Sequence, residues 1–181
     1  MSLVKKIFIG IFSFSLLVVL FIVWLFIEMG NDNDSDKPFL NIEIPSNLKF
    51  KKPIEYLSHQ EIDSLKKLEV DESKVLVVGT GYSGYDFYMW HKPTEKGELY
   101  IKAFELTQNT QLSEWKLSAR TKNVINELGE DYRLYIGRTV IDEGTFEHYY
   151  PTRFELWFKS LETGSEKKLA EEKYLIDGWD R

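Results

Sequence analysis

Residues 74–86 read KVLVVGTGYSGYD, and the fold turns on how that stretch is taken. The apolar run Val75-Leu76-Val77-Val78 leads into Gly79-x-Gly81-x-x-Gly84, the spacing of a dinucleotide-binding loop. Such a loop works only if its third glycine lies in a helix whose amino end faces the pyrophosphate. Here the chain continues YDFYMWHKP, rich in aromatic residues that favour strands. Pro93 would also stop a crossover helix after barely two turns. No further strand–helix repeats follow. The stretch therefore predicts two strands joined by a glycine turn, in which glycines tolerate positive φ or a bulge. No dinucleotide and no other cofactor is expected.

Outward from this pair the texture stays β. YRLYIGRTVI (132–141), RFELWFKS (153–160) and KKLAEEKYLI (167–176) read as strands, as do FLNIEI (39–44) and ELYIKAFEL (98–106). HKPTEKG and LETGSE supply hairpin loops. One helix is clear. SHQE places Ser58 at an N-cap with Glu61 three residues on, a capping box, and Leu57 and Ile62 take the staple positions of a helix over 59–68. The segment 107–130 is ambiguous, with a helical turn after Ser113 as one reading. Seven hairpin-linked strands predict a mainly β domain: an antiparallel β-sandwich, immunoglobulin-like or C2-like, carrying one short α-helix.

The amino end differs in kind. Ile7–Ile27 is a run of 21 residues without a charge, long enough as a helix for a bilayer's hydrocarbon core. Lys5 and Lys6 precede it, acids follow it, and its exit lacks a small-x-small cleavage site. These features predict a single transmembrane signal-anchor helix with a cytoplasmic amino terminus. The expected order is a cytoplasmic end at 1–6, the span at 7–27, an acidic stalk at 28–38 and an exported β-sandwich at 39–181. A bacterial inner membrane with the domain in the periplasm is the expected address. Residues 31–181 hold 21 of the 23 basic and 28 of the 29 acidic side chains, so the domain is acidic and poorly suited to nucleic acid. There is no cysteine.

Chemistry is sparse. His59, His91 and His148 show no metal-ligand spacing, and no metal site is expected. Ser83 misses the nucleophile-elbow spacing. Asp142, Glu143 and Glu147 beside His148 suit a solvated loop. No catalytic residue is expected, and the protein is read as a non-enzyme. One pattern stands out. If the strands alternate, Tyr88, Trp90, Tyr100, Phe104, Tyr135 and Trp157 fall on the outward parity. Cross-strand pairing or cover by 59–68 and 107–130 would explain them structurally. As an exposed face they would form a recognition surface. The functional expectation is a membrane-anchored, periplasm-facing module that recognises a protein partner, a basic one by charge, as an immunity-type protein neutralising a toxin would. Glycan or peptidoglycan binding is the alternative, and an envelope hydrolase a third.

Overall fold

The computed structural model describes residues 15–25, 39, 42–44 and 49–179. The chain divides into two compact units, Met1–Lys37 and Pro38–Arg181. In the first, residues 15–25 form a helix (α1) whose side chains are all exposed. Among the described residues no helix is long and apolar enough to cross a membrane. This corrects the expected 7–27 span. The single-pass topology, the membrane as partner and the periplasmic address depend on that span and are withdrawn with it. The expected amino end (1–6) and stalk (28–38) lie outside the described residues.

The second unit contains β1 (Ile54–Glu55), α2 (His59–Lys66), β2 (Lys74–Gly79), β3 (Gly84–His91), β4 (Gly97–Glu105) and β5 (Gln111–Leu112). It continues with α3 (Glu114–Thr121), β6 (Asn123–Ile125), β7 (Arg133–Val140), β8 (Tyr150–Ser160) and β9 (Glu166–Ile176). One sheet runs β1-β2-β3-β7 and the other β5-β4-β8-β9, with β6 also paired to β4. Neither closes into a barrel. The β1–β2 pair is parallel and the remaining strand pairs are antiparallel.

Alternation builds the core between the sheets. Val75 and Val77 of β2, Phe87 and Met89 of β3, Leu99 and Ile101 of β4, and Phe154, Leu156 and Phe158 of β8 form one buried cluster. The β8–β9 register shifts between Leu156 and Trp157, a bulge in the ladder. Glycine at 74–86 does what the hairpin reading requires. Thr80 N–H donates to the Gly84 carbonyl at 2.8 Å and Gly84 N–H to the Gly81 carbonyl at 3.0 Å. Gly84 opens β3, so no helix amino end stands behind the loop.

The expected mainly β, antiparallel sandwich with one short helix is corrected to a mixed α/β fold with two open sheets and, among the described residues, three helices. The ambiguous segment 107–130 contains β5, α3 and β6. Strand character expected at 39–44 is missing from residues 42–44. Helix α3 fits tightly against β7, because a Cβ on Gly137 would lie 2.7 Å from Thr121 Cα. Only Leu117 and Thr121 of α3 are buried. Thr121 then repairs the sheet: β5 and β6 leave Ile101 between them on the β4 edge, and the Ile101 N–H donates to Thr121 Oγ1 at 2.9 Å. The Thr121 hydroxyl donates onward to the Leu117 carbonyl at 2.7 Å.

Candidate functional site

The six outward aromatics do not share one face. Tyr88 and Trp90 are buried on the outer side of the first sheet, with Leu57, Ile62 and Leu65 packed over them. The capping box positions this cover: Glu61 N–H donates to Ser58 Oγ at 3.3 Å and Ser58 N–H to Glu61 Oε2 at 2.8 Å. Tyr100 and Trp157 are register partners on the outer side of the second sheet, and Phe104 lies further along the same strand as Tyr100. Cations lie over these rings. Lys102 Nζ is 4.1 Å from the Trp157 ring and 5.7 Å from that of Tyr100, and the Arg153 guanidinium is 5.1 Å from Phe104. Tyr135 corrects the parity expected of it, since it is paired with Met89 and packs against the interior cluster.

A different aromatic group gathers at the end of the domain where the glycine turn lies. Tyr82, Phe146 and Trp179 come from three separate loops and pack edge to face. Ring centroids are 5.4 Å apart for Phe146–Trp179, 6.3 Å for Tyr82–Phe146 and 6.4 Å for Tyr82–Trp179. Tyr82 is 77% exposed. A cross-linked frame holds these loops. Ser83 Oγ donates to the Gly178 carbonyl at 2.7 Å, the Tyr85 hydroxyl donates to Asp177 Oδ1 at 2.9 Å, and Trp179 N–H donates to the Ile141 carbonyl at 2.7 Å. Asp177 also accepts from Glu147 N–H at 3.0 Å. Burial, and then the Asp177 carboxylate, push the Tyr85 phenol far above its ordinary range, so it stays a donor.

Backbone strain concentrates in the same frame. Tyr82 (φ 49°), Ser83 (φ 51°) and Glu147 (φ 65°) all hold left-handed conformations that cost non-glycine residues energy. Gly81 (φ 78°) has Tyr56 pressed against it, and a Cβ there would lie 2.0 Å from the Tyr56 hydroxyl. Ser113, also left-handed (φ 41°), ties α3 to the neighbouring loop by donating from N–H and Oγ to Glu143 at 2.6 and 2.8 Å.

Beside the rings is a cavity of about 440 Å³ lined by Tyr82, Trp179, Val140, Arg120 and Arg138. The two guanidinium groups differ. Arg138 binds Asp86 with two parallel bonds, from Nε to Oδ1 and from Nη2 to Oδ2. Asp86 is largely buried and raises the Arg138 pKa above its ordinary value. Arg120, exposed in the last turn of α3, forms no ion pair among the described residues. The cavity thus combines an aromatic, apolar wall with a fixed cation and an uncommitted one. Such a lining suits an anionic group on a flat apolar body.

None of these five lining residues was singled out by sequence reasoning. The available signal was the tyrosine inside Gly-x-Gly-Tyr-x-Gly, a large aromatic residue at the tip of a turn. Among the described residues no group of three or more His, Asp or Glu side chains is placed to hold a metal ion. His59 begins α2, His91 is buried at the end of β3, and His148 is exposed in the 142–149 loop. No family model matches the chain, and neither curated proteins nor solved structures provide a match. The envelope-recognition role, with its immunity-type, glycan-binding and hydrolase variants, assumed export across a membrane. It is withdrawn along with the span.

Proposed function

We propose that the second unit is a non-catalytic domain that holds a small organic anion at the Tyr82–Trp179 end. One observation carries the reading: the uncommitted Arg120 guanidinium lines an aromatic-walled cavity beside an already oriented Arg138. A carboxylate or similar anion would pair with Arg120, and the apolar body of the ligand would lie against Trp179 and Tyr82. Desolvation by the walls strengthens such a pair over its worth in open water. The non-catalytic half of the reading rests on how the polar groups are spent. The Ser83 hydroxyl is committed to the Gly178 carbonyl and the Tyr85 hydroxyl to Asp177. A buried, raised phenol is a poor base and a committed hydroxyl a poor nucleophile.

Titration with 2-naphthoate, followed by calorimetry and by tryptophan emission, tests the reading. Saturable binding is expected, weakened about tenfold by Arg120→Ala through loss of one charge-assisted contact. The neutral analogue 2-naphthalenemethanol should bind no better to the native protein than to Arg120→Ala. Equal naphthoate affinity in both proteins would overturn the proposal.

A further inference from the structure

β9 is the last strand of the second sheet, and along 166–173 it has no strand partner beyond β8 among the described residues. Only its far end is covered, where Lys51 bridges to Tyr174. Residues 166–173 are all exposed or half-buried. Four of them turn their backbone groups outward. Leu175, opposite Pro151, donates its N–H away from β8, to the Lys51 carbonyl at 2.9 Å. Lys173 and Glu171 lie opposite Arg153 and Glu155 and share that phase by the alternation of an antiparallel ladder. Past the bulge, Lys168 and Glu166 lie opposite Trp157 and Lys159 and keep it. An outward row of donors and acceptors of this kind is a template for another strand.

The side chains specify which strand. Residues 166–173 read EKKLAEEK, a pattern whose charges change sign when it is read backwards. Set antiparallel against itself about the 169–170 midpoint, the strand brings Glu166 to Lys173, Lys167 to Glu172 and Lys168 to Glu171 of the other copy, with Leu169 against Ala170. Facing agrees as well as sign. Glu166, Lys168, Glu171 and Lys173 lie opposite odd-numbered residues of β8 and point to the outer side of the sheet. Lys167, Ala170 and Glu172 lie opposite Phe158, Leu156 and Phe154, whose side chains form the core. The bulge makes this match possible, because in a regular strand the two members of each pair would sit on opposite faces. A slip of one residue either way sets Glu166 against Glu172 or Lys167 against Lys173. Edge lysines ordinarily keep strands apart, but in this register every one of them meets an acid. Lys167 and Glu172 have surface partners within one copy, Glu95 at 3.1 Å and Lys51 at 3.5 Å, and such pairs are worth little and are readily exchanged. We infer that β9 is a homodimerisation edge: a second copy of this chain adds its own β9 antiparallel, joining the two second sheets into one about a two-fold axis at 169–170. The contact is small and mostly charged, so the dimer is weak and salt-sensitive.

Sedimentation velocity of the full chain over a concentration series provides the test. A dimer is expected at ~100 µM in low salt, weakened about tenfold in ~1 M salt, where the screening length falls to ~3 Å. Lys167→Glu and Glu172→Lys each set like charges together at both symmetry-related places and should each abolish the dimer. An equimolar mixture of the two variants should restore a heterodimer, because every pair is then opposite in sign. In the native chain, amide exchange at Glu166, Lys168, Glu171 and Lys173 should slow as concentration rises, while Lys167 and Glu172, whose amides face β8, should not respond. Exchange needs no variant, so it decides the matter even where a substitution costs fold, which thermal melts report. The inference is overturned by a native chain that stays monomeric to ~500 µM, by both variants associating as the native chain does, by folded variants whose mixture restores nothing, or by concentration-dependent protection that grows elsewhere instead.

Discussion

Replacing His91 with leucine should flatten the acid side of the stability profile. His91 ends β3 with 5% of its surface exposed, its ring 5.3 Å from that of Phe158 and its Nε2 buried without a hydrogen-bond partner among the described residues. Burial, and then the Lys167 ammonium, oppose a second proton. Glu95 offsets them only in part, and the pKa falls from 6.5 to about 4. Between those two values the unfolded chain binds a proton that the native protein refuses. Native stability is therefore intact above pH 6.5, declines as the pH drops through the window, and levels off near 4. At ~1.36 kcal/mol per unit the whole window is worth at most about 3 kcal/mol, of which about 2 kcal/mol is lost by pH 5.

Urea unfolding at pH 7, 6 and 5 measures the effect, with His91→Leu beside the native chain. Carboxylate contributions are common to both proteins, so the difference between the two profiles isolates the imidazole. The native chain should lose about 2 kcal/mol more than the variant between pH 7 and 5. Parallel profiles would refute the reasoning, and so would a His91 proton titrating above pH 6 by NMR in the folded state.

Two further substitutions probe the frame. Thr121→Val keeps the shape of the side chain but leaves the Ile101 N–H without an acceptor at the gap between β5 and β6. It should cost about 2 kcal/mol in chemical unfolding and speed amide exchange at Ile101. Gly81→Ala places a methyl group against Tyr56 at a φ of 78°, and should lower stability by about 2 kcal/mol. Adding Tyr56→Phe to it should recover only the steric part, leaving the dihedral cost visible in the same melt.

How much of this was legible depended on which contacts each residue answers to. The hairpin around Gly79–Gly84 could be read because aromatic alternation after Gly84 excludes a helix within eight residues. Helix α2 could be read because its capping box and staple are local. Helix α3 lies at the other extreme. Its start at Ser113 is left-handed with no side-chain cap bond, and the serine is occupied with Glu143, thirty residues away. Only two of its side chains are buried, too few to impose a periodic pattern. Tyr135 was misplaced for a related reason. The strand's phase is set by pairing with Met89, and Leu134, Tyr135 and Ile136 give three apolar residues in a row from which either phase can be chosen.

The anion cavity was illegible in a stronger sense. Tyr82, Arg120, Arg138 and Trp179 are spread over nearly a hundred residues, and no periodicity or spacing links them. They meet because of two registers and a helix. Gly84 pairs with Val140, which brings the glycine turn to the end of β7, and Gly137 admits α3 close enough to place Arg120 beside it. Asp86, two residues into β3, pairs across the same ladder with Arg138 and holds its guanidinium in place. The glycines that imitate a nucleotide loop thus have a physical role of another kind. They let the chain turn tightly enough to leave Tyr82 at the tip, in a left-handed backbone that the Ser83–Gly178 and Tyr85–Asp177 bonds keep from relaxing. If that strain serves the cavity, relieving it should cost ligand before it costs fold. Tyr82→Gly should raise the unfolding free energy by about 1 kcal/mol or leave it unchanged, while weakening 2-naphthoate. A variant that is stabler and binds as well as the native chain would mean the turn is strained for no functional reason.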